Sequence, residues 1–211
     1  VENILPLSDE INQSSIEGEW ELIYSSVELF RSSPFFLAIE KALDDKSKSD
    51  LFFKLHLLQV GSFGLSTVGR VGQSLNFNKG EMISTFDTTI FGLTTIPILG
   101  WFKLLPTFGG RVITSATRLQ LKDNILSMEL EKTKVSEIDG LGKIPFFESI
   151  LMERWYPVKT VWKLLPWNKE NPNCELRVIY VDKNIRITRD MYGALFVYIR
   201  PSIPLLDQTK I

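Results

Sequence analysis

The chain has 211 residues, enough for one domain with a sizeable core and short for two. Its 24 basic and 25 acidic side chains leave a net charge of −1, so no single-signed field exists to gather a nucleic acid. Cys174 is the sole cysteine, which excludes an internal disulfide and a multi-cysteine metal centre and suits a reducing interior such as a cytosol or organelle stroma.

Ile4, Leu5, Leu7 and Ile11 recur at roughly helical spacing and predict a short helix over Val1 to Gln13, cut by Pro6. Residues 1–17 are read as this helical segment, and 18–211 as one barrel domain, since no linker or low-complexity tract divides the rest. The chain opens on Val1 rather than Met, and a targeting peptide is expected to lie outside this sequence. From Gly18, Trp20, Leu22 and Tyr24 alternate with Glu19, Glu21 and Ser25, the period of a strand with one buried face. Ser32 and Ser33 ahead of Pro34 start a helix over Phe35 to Leu43, which ends in the charged stretch Asp44 to Asp50.

Strand then follows strand. Leu51 to Val60, Leu65 to Phe77 and Glu81 to Ile90 are expected, the last after an Asn78-Lys79-Gly80 turn. Arg111 to Leu121 and Ile125 to Val135 are joined by Lys122-Asp123-Asn124, a tight hairpin signal. A closing meander comprises Leu176 to Val181, Ile185 to Arg189 and Ala194 to Arg200. About eight or nine strands on short turns predict a mainly β, antiparallel barrel or sandwich with a few short helices, and no strand–helix–strand alternation supports a Rossmann or TIM fold. Two long excursions interrupt the pattern, Phe91 to Gly110 and Asp139 to Cys174. The first holds the longest apolar run, but Gly92, Pro97, Gly100, Lys103 and Pro106 argue against a spanning helix. The protein is therefore read as soluble, with contact to a membrane surface left open.

A search for chemistry finds no catalytic centre, metal site or cofactor motif. His56 is the only histidine, with no second ligand near it in sequence, and reads as an ordinary histidine of the expected Leu51–Val60 strand. There is no G-x-S-x-G elbow, and Gly140-Leu141-Gly142-Lys143 lacks both the leading glycine and the following hydroxyl of a phosphate loop. Glu129 and Glu131, on one polar face, read as solvated sheet surface, and nothing in the sequence brings the mid-strand Asp87 toward either. Two near-repeats, Trp101-Phe102-Lys103-Leu104-Leu105-Pro106 and Val161-Trp162-Lys163-Leu164-Leu165-Pro166, sit one in each excursion. They suit either loops that complete a core or a lid over an apolar mouth that meets lipid.

Gly18-Glu19-Trp20 has the G-x-W form that opens lipocalin barrels, where the tryptophan closes the base and an arginine of the last strand stacks on it. Arg200 is placed for that role. The stretch from Gly18 through Glu21-Leu22-Ile23-Tyr24-Ser25-Ser26 resembles the opening motif of the plastid lipid-associated protein family, the fibrillins. Tyr180-Val181-Asp182-Lys183-Asn184-Ile185-Arg186-Ile187-Thr188-Arg189-Asp190, continuing into Gly193-Ala194-Leu195-Phe196-Val197, resembles that family's closing motif. The resemblance implies a lipocalin-like barrel without catalysis, in the stroma, thylakoids or plastoglobules of a plastid, dealing with prenyl quinones, carotenoids or acyl lipids.

The resulting expectation is a lipid binder with Tyr24, Phe86, Met128 and Phe196 turned inward and Trp101 and Trp162 at the mouth. Asp182, Arg186, Arg189 and Asp190 cluster around the last two hairpins, either as cross-strand ion pairs that fix register or, through the arginines, as a headgroup contact. The rival expectation is a coat or scaffold protein of plastid lipid bodies or membranes that contacts a partner enzyme of lipid metabolism.

Overall fold

The computed structural model describes residues 11–62, 65–91, 93–96, 101–104, 108–136, 154–158, 162 and 171–205. The helix expected over 1–13 lies almost wholly outside them. The first described element is one helical turn, α1 (Gln13–Ile16), capped by Asn12, whose side chain accepts from the Ser15 amide at 3.0 Å.

β1 (Gly18–Ser25) turns Trp20 and Leu22 inward. Pairing with the last strand then slips by one residue between Leu22 and Tyr24, and the bulge breaks the alternation. Ile23 and Tyr24 both stand outside, 56% and 53% exposed. The inward placement expected of Tyr24 is thereby corrected.

A 3-10 turn, η1 (Leu29–Ser32), leads into α2 (Pro34–Leu43), which starts on a proline whose missing amide costs nothing at a helix start and stops where Asp44 adopts φ 45°. The strand expected over Leu51 to Val60 is instead part of a helix, α3 (Lys46–Ser62). Asp45 caps it, its carboxylate accepting from the Lys48 amide at 3.0 Å, and this cap turns the preceding charged stretch into the first helical turn. An apolar run such as Leu51-Phe52-Phe53 suits a buried helix as well as a strand, and the cap decides between them. His56 accordingly lies on α3.

The remaining elements are β2 (Leu65–Asn76), β3 (Glu81–Phe91), β4 (Leu93–Ile96), β5 (Trp101–Leu104), β6 (Phe108–Lys122), β7 (Ile125–Ser136), β8 (Tyr156–Pro157), β9 (Asn173–Val181), β10 (Ile185–Arg189) and β11 (Leu195–Ile199). The main sheet runs β6-β3-β2-β1-β11-β10-β9-β7-β8, and β6 also pairs with β7. That extra pairing closes eight antiparallel strands into a ring, with β8 pairing to Lys132 and Thr133 on the β7 edge beyond β9, and β4–β5 forming a separate hairpin in the first excursion. The fold is a mainly antiparallel, lipocalin-like barrel. Its β6–β7 hairpin turns on Asp123 and Asn124 at φ 51° and 61°, the left-handed pair that matches strand twist.

Inside the ring, Trp20, Leu75, Met82, Leu126, Leu130, Leu176 and Phe196 form one apolar cluster with Phe36, Leu37 and Ile39 of α2. η1 touches β1 and β2 while α2 touches β6, β7 and β9, so this segment crosses one end of the barrel. Among the described residues, no helix is long and apolar enough to cross a membrane.

Candidate functional site

The base of the barrel is organised by Trp20. Its indole nitrogen donates to the Ile16 carbonyl at 2.8 Å, and the Arg200 guanidinium carbon lies 3.7 Å from the ring centroid. Arg200 Nη1 donates to the carbonyls of Glu17 (2.7 Å) and Glu19 (3.2 Å), and Nη2 donates to that of Ser15 (3.3 Å). Gly18 between them has φ +95°, and a Cβ there would stand 3.0 Å from Nη1, so backbone angle and close approach both call for glycine.

Above this base the barrel interior is not uniformly apolar. Arg186 on β10 lies directly opposite Tyr198 on β11, and Tyr198 opposite Leu22 on β1. Trp20 is opposite Gln73 on β2, Gln73 opposite Ser84 on β3, and Ser84 opposite Thr114 on β6. Directly paired residues share a face, so a belt of polar side chains runs round the inside. Arg186 and Gln73 are both 0% exposed, and Ser84 and Thr114 are buried with them.

Gln73 joins the belt together. Its Oε1 accepts from Arg186 Nη2, and its Nε2 donates to the Tyr198 hydroxyl at 3.2 Å and the Ser32 carbonyl at 3.4 Å. The Arg186 guanidinium carbon lies 4.2 Å from the Tyr198 ring centroid and 5.1 Å from that of Trp20. Burial lowers its pKa to about 10, with the Tyr198 phenol favouring the charged form and Arg200 opposing it. Among the described residues, Arg186 Nε and Nη1 find no acceptor, nor does the Ser84 hydroxyl a partner.

This corrects the expectation that Arg186 belongs to a charged cluster at the hairpins. Asp182 does fix its turn, but through the backbone: Oδ1 accepts from the Asn184 and Ile185 amides, both at 2.7 Å, and Oδ2 from the Tyr180 hydroxyl at 2.8 Å. These donors hold its pKa below the usual carboxylate value. Asp190 likewise caps the next turn, accepting from Tyr192 N (3.0 Å) and Ala194 N (2.8 Å). Arg189 is half-buried, opposite Arg177 on β9.

The crossing helix has a charged seat. Glu40 of α2 is 2% exposed, and its Oε1 accepts from Arg31 Nη2 at 2.6 Å. The Arg31 guanidinium in turn lies 4.1 Å over the Phe53 ring of α3. Burial and then the Asp190 carboxylate raise the Glu40 pKa to about 7 against the pull of Arg31. In the wall beside α2, Cys174 on β9 is sealed, and burial pushes its thiol up to about 12.

Of the other expected lining residues, Met128 and Phe196 are buried in the cluster and Phe86 packs against it. Trp162 is 3% exposed and belongs to the same cluster, whereas the side chain of Trp101, on β5, lies outside what is described. Glu129, read with Glu131 as solvated surface, is instead 2% exposed and meets Arg118 at 2.8 Å, while Asp87 is clasped by Arg111 at 2.6 and 3.0 Å. The belt residues Gln73, Ser84, Thr114 and Tyr198 were not anticipated, because polar side chains in alternation read as outward-facing. The available signal was cross-strand parity, since a strand opposite inward Phe196 must turn Thr188 inward and, two residues back, Arg186.

A closed eight-stranded ring whose first-strand tryptophan is stacked by an arginine just beyond the last strand is the architecture of a lipocalin-like barrel protein. No curated protein and no solved structure matches the chain. The PAP_fibrillin family model, however, matches residues 1–199, and the chain belongs to the PAP/fibrillin family of plastid lipid-associated proteins. That family is a structural, generally non-enzymatic one, and membership implies association with plastids.

Proposed function

We propose that the protein holds one hydrophobic lipid within its barrel, without chemical conversion, for storage or transport in plastids. The observation that carries this reading is the barrel interior, an apolar cluster crossed by a polar belt in which, among the described residues, Arg186 Nε, Arg186 Nη1 and Ser84 Oγ lack partners. Buried polar groups in proteins are nearly all hydrogen-bonded, and unsatisfied ones grouped inside a barrel suit the head of an amphiphile. Prenyl quinones and acyl lipids carry such a head beside a long apolar chain, and hydrocarbon carotenoids do not. Burying roughly 300 Å² of chain at about 25 cal/mol per Å² supplies on the order of 7 kcal/mol before the costs of association.

Delipidated protein titrated with a fluorescent prenyl or acyl lipid should bind it saturably, at roughly one lipid per chain. Binding to vesicles alone, with no saturable uptake of monomeric lipid, overturns the carrier reading. It favours instead a coat or scaffold that meets a lipid surface or a partner enzyme. The bulge on β1 supports that second reading, since it leaves Ile23 and Tyr24 side by side in solvent.

A further inference from the structure

We infer that Arg186 anchors the head of the bound lipid and that this head is a carboxylate. The inference rests on the lipid-holding reading above and narrows it.

Arg31, Arg70, Arg111 and Arg118 each meet a carboxylate, within 2.6 to 2.8 Å. Arg186 is completely buried and has none; its hydrogen-bonding partners are the neutral Gln73 amide and the Tyr198 phenol. The rings of Trp20 and Tyr198 offset part of the charge through their faces. The ring faces accept none of the in-plane donors, and among the described residues Nε and Nη1 remain without an acceptor. A buried cation is retained in a fold only where something compensates it.

Three features select the compensating group. The nearby Arg200 adds positive potential that only the Tyr198 phenol opposes, with no carboxylate beside Arg186 among the described residues, which favours an anion over a neutral carbonyl. Arg200 is itself committed to the carbonyls of Ser15, Glu17 and Glu19, so one guanidinium serves the site, and a single negative charge matches it better than a phosphate dianion. Ser84, directly opposite Gln73, offers a hydroxyl without a partner on the same belt. A carboxylate at the end of an apolar chain satisfies all three, since guanidinium–carboxylate bonds are among the strongest a protein makes.

The test is calorimetric titration of the delipidated full chain with palmitate and methyl palmitate, and with farnesoate and its methyl ester. Each acid should bind about tenfold or more tighter than its own ester. In Arg186→Gln that preference should shrink to within about twofold, because the acid loses more affinity than its ester. Equal binding of acid and ester by the unaltered chain, or a preference that survives Arg186→Gln, overturns the anchor but leaves lipid holding intact. Failure of acids and esters alike to bind overturns both. Should Arg186→Gln not fold, carboxyl-¹³C palmitate on the unaltered chain decides. A bound carboxyl that titrates below its value in water supports the anchor, and one that titrates at or above it refutes the anchor.

Discussion

Arg200 and Arg186 both lie against Trp20, yet their surroundings differ. Arg200 spends its donors on three backbone carbonyls, and its guanidinium covers the ring at 3.7 Å. Removing it strips the tryptophan of one face and leaves those carbonyls to water. Arg200→Ala should therefore cost about 2 kcal/mol, seen as a fall in Tm on the order of 5 °C. Arg200→Lys should recover little of it, because an ammonium cannot both stack and reach three carbonyls. An unchanged Tm in Arg200→Ala would show that the base of the barrel is held by its apolar contacts alone. This stack was legible in the sequence, since the Gly18-Glu19-Trp20 opening and a terminal arginine name both partners. The polar belt was not. On β10 the usual order is inverted, with Ile185 exposed and Arg186 and Thr188 buried, and an alternation count alone assigns such a strand to the wrong face.

At the scale of elements, α2 is seated by Glu40, whose proton affinity differs between folded and unfolded chains. The folded pKa is about 7 against an ordinary 4.5, so the folded state holds an extra proton between those values. The stability this contributes is complete below about 4.5 and is lost as pH rises to about 7. Glu40→Gln has no proton to lose, and the difference in Tm between wild type and variant should widen across that window in the variant's favour. Parallel Tm profiles from pH 4.5 to 7 would show that Arg31 and Asp190 leave Glu40 untitrated there. The helix itself was readable from Ser33 and Pro34, as were β7 and β10 from alternation or flanking turns. α3 was misread because its cap, Asp45, sits within a charged stretch that looks like a loop. Tyr24 was misplaced because a bulge is set by pairing with β11, a partner far away in sequence.

At the scale of the whole molecule, the β6–β7 pairing closes the main sheet into a ring, and β8 continues the β7 edge beyond β9. Closure suppresses edge-to-edge association and gives every inward residue neighbours on both flanks. Neighbouring strands around the ring follow chain order, so each short hairpin passes its parity to the next strand, and the class of fold was legible even where single residues were not.

Cys174 makes that closure measurable. It is the chain's single sulfhydryl, held protonated and out of reach in the wall beside α2. Alkylation by iodoacetamide must therefore wait for the staves to part, and its rate becomes a clock for breathing. Intact-mass spectrometry should find the native chain modified far more slowly than the urea-unfolded one, and slower still once palmitate is aboard. A loaded chain that reacts as fast as an empty one would mean that cargo does nothing to hold the vessel shut.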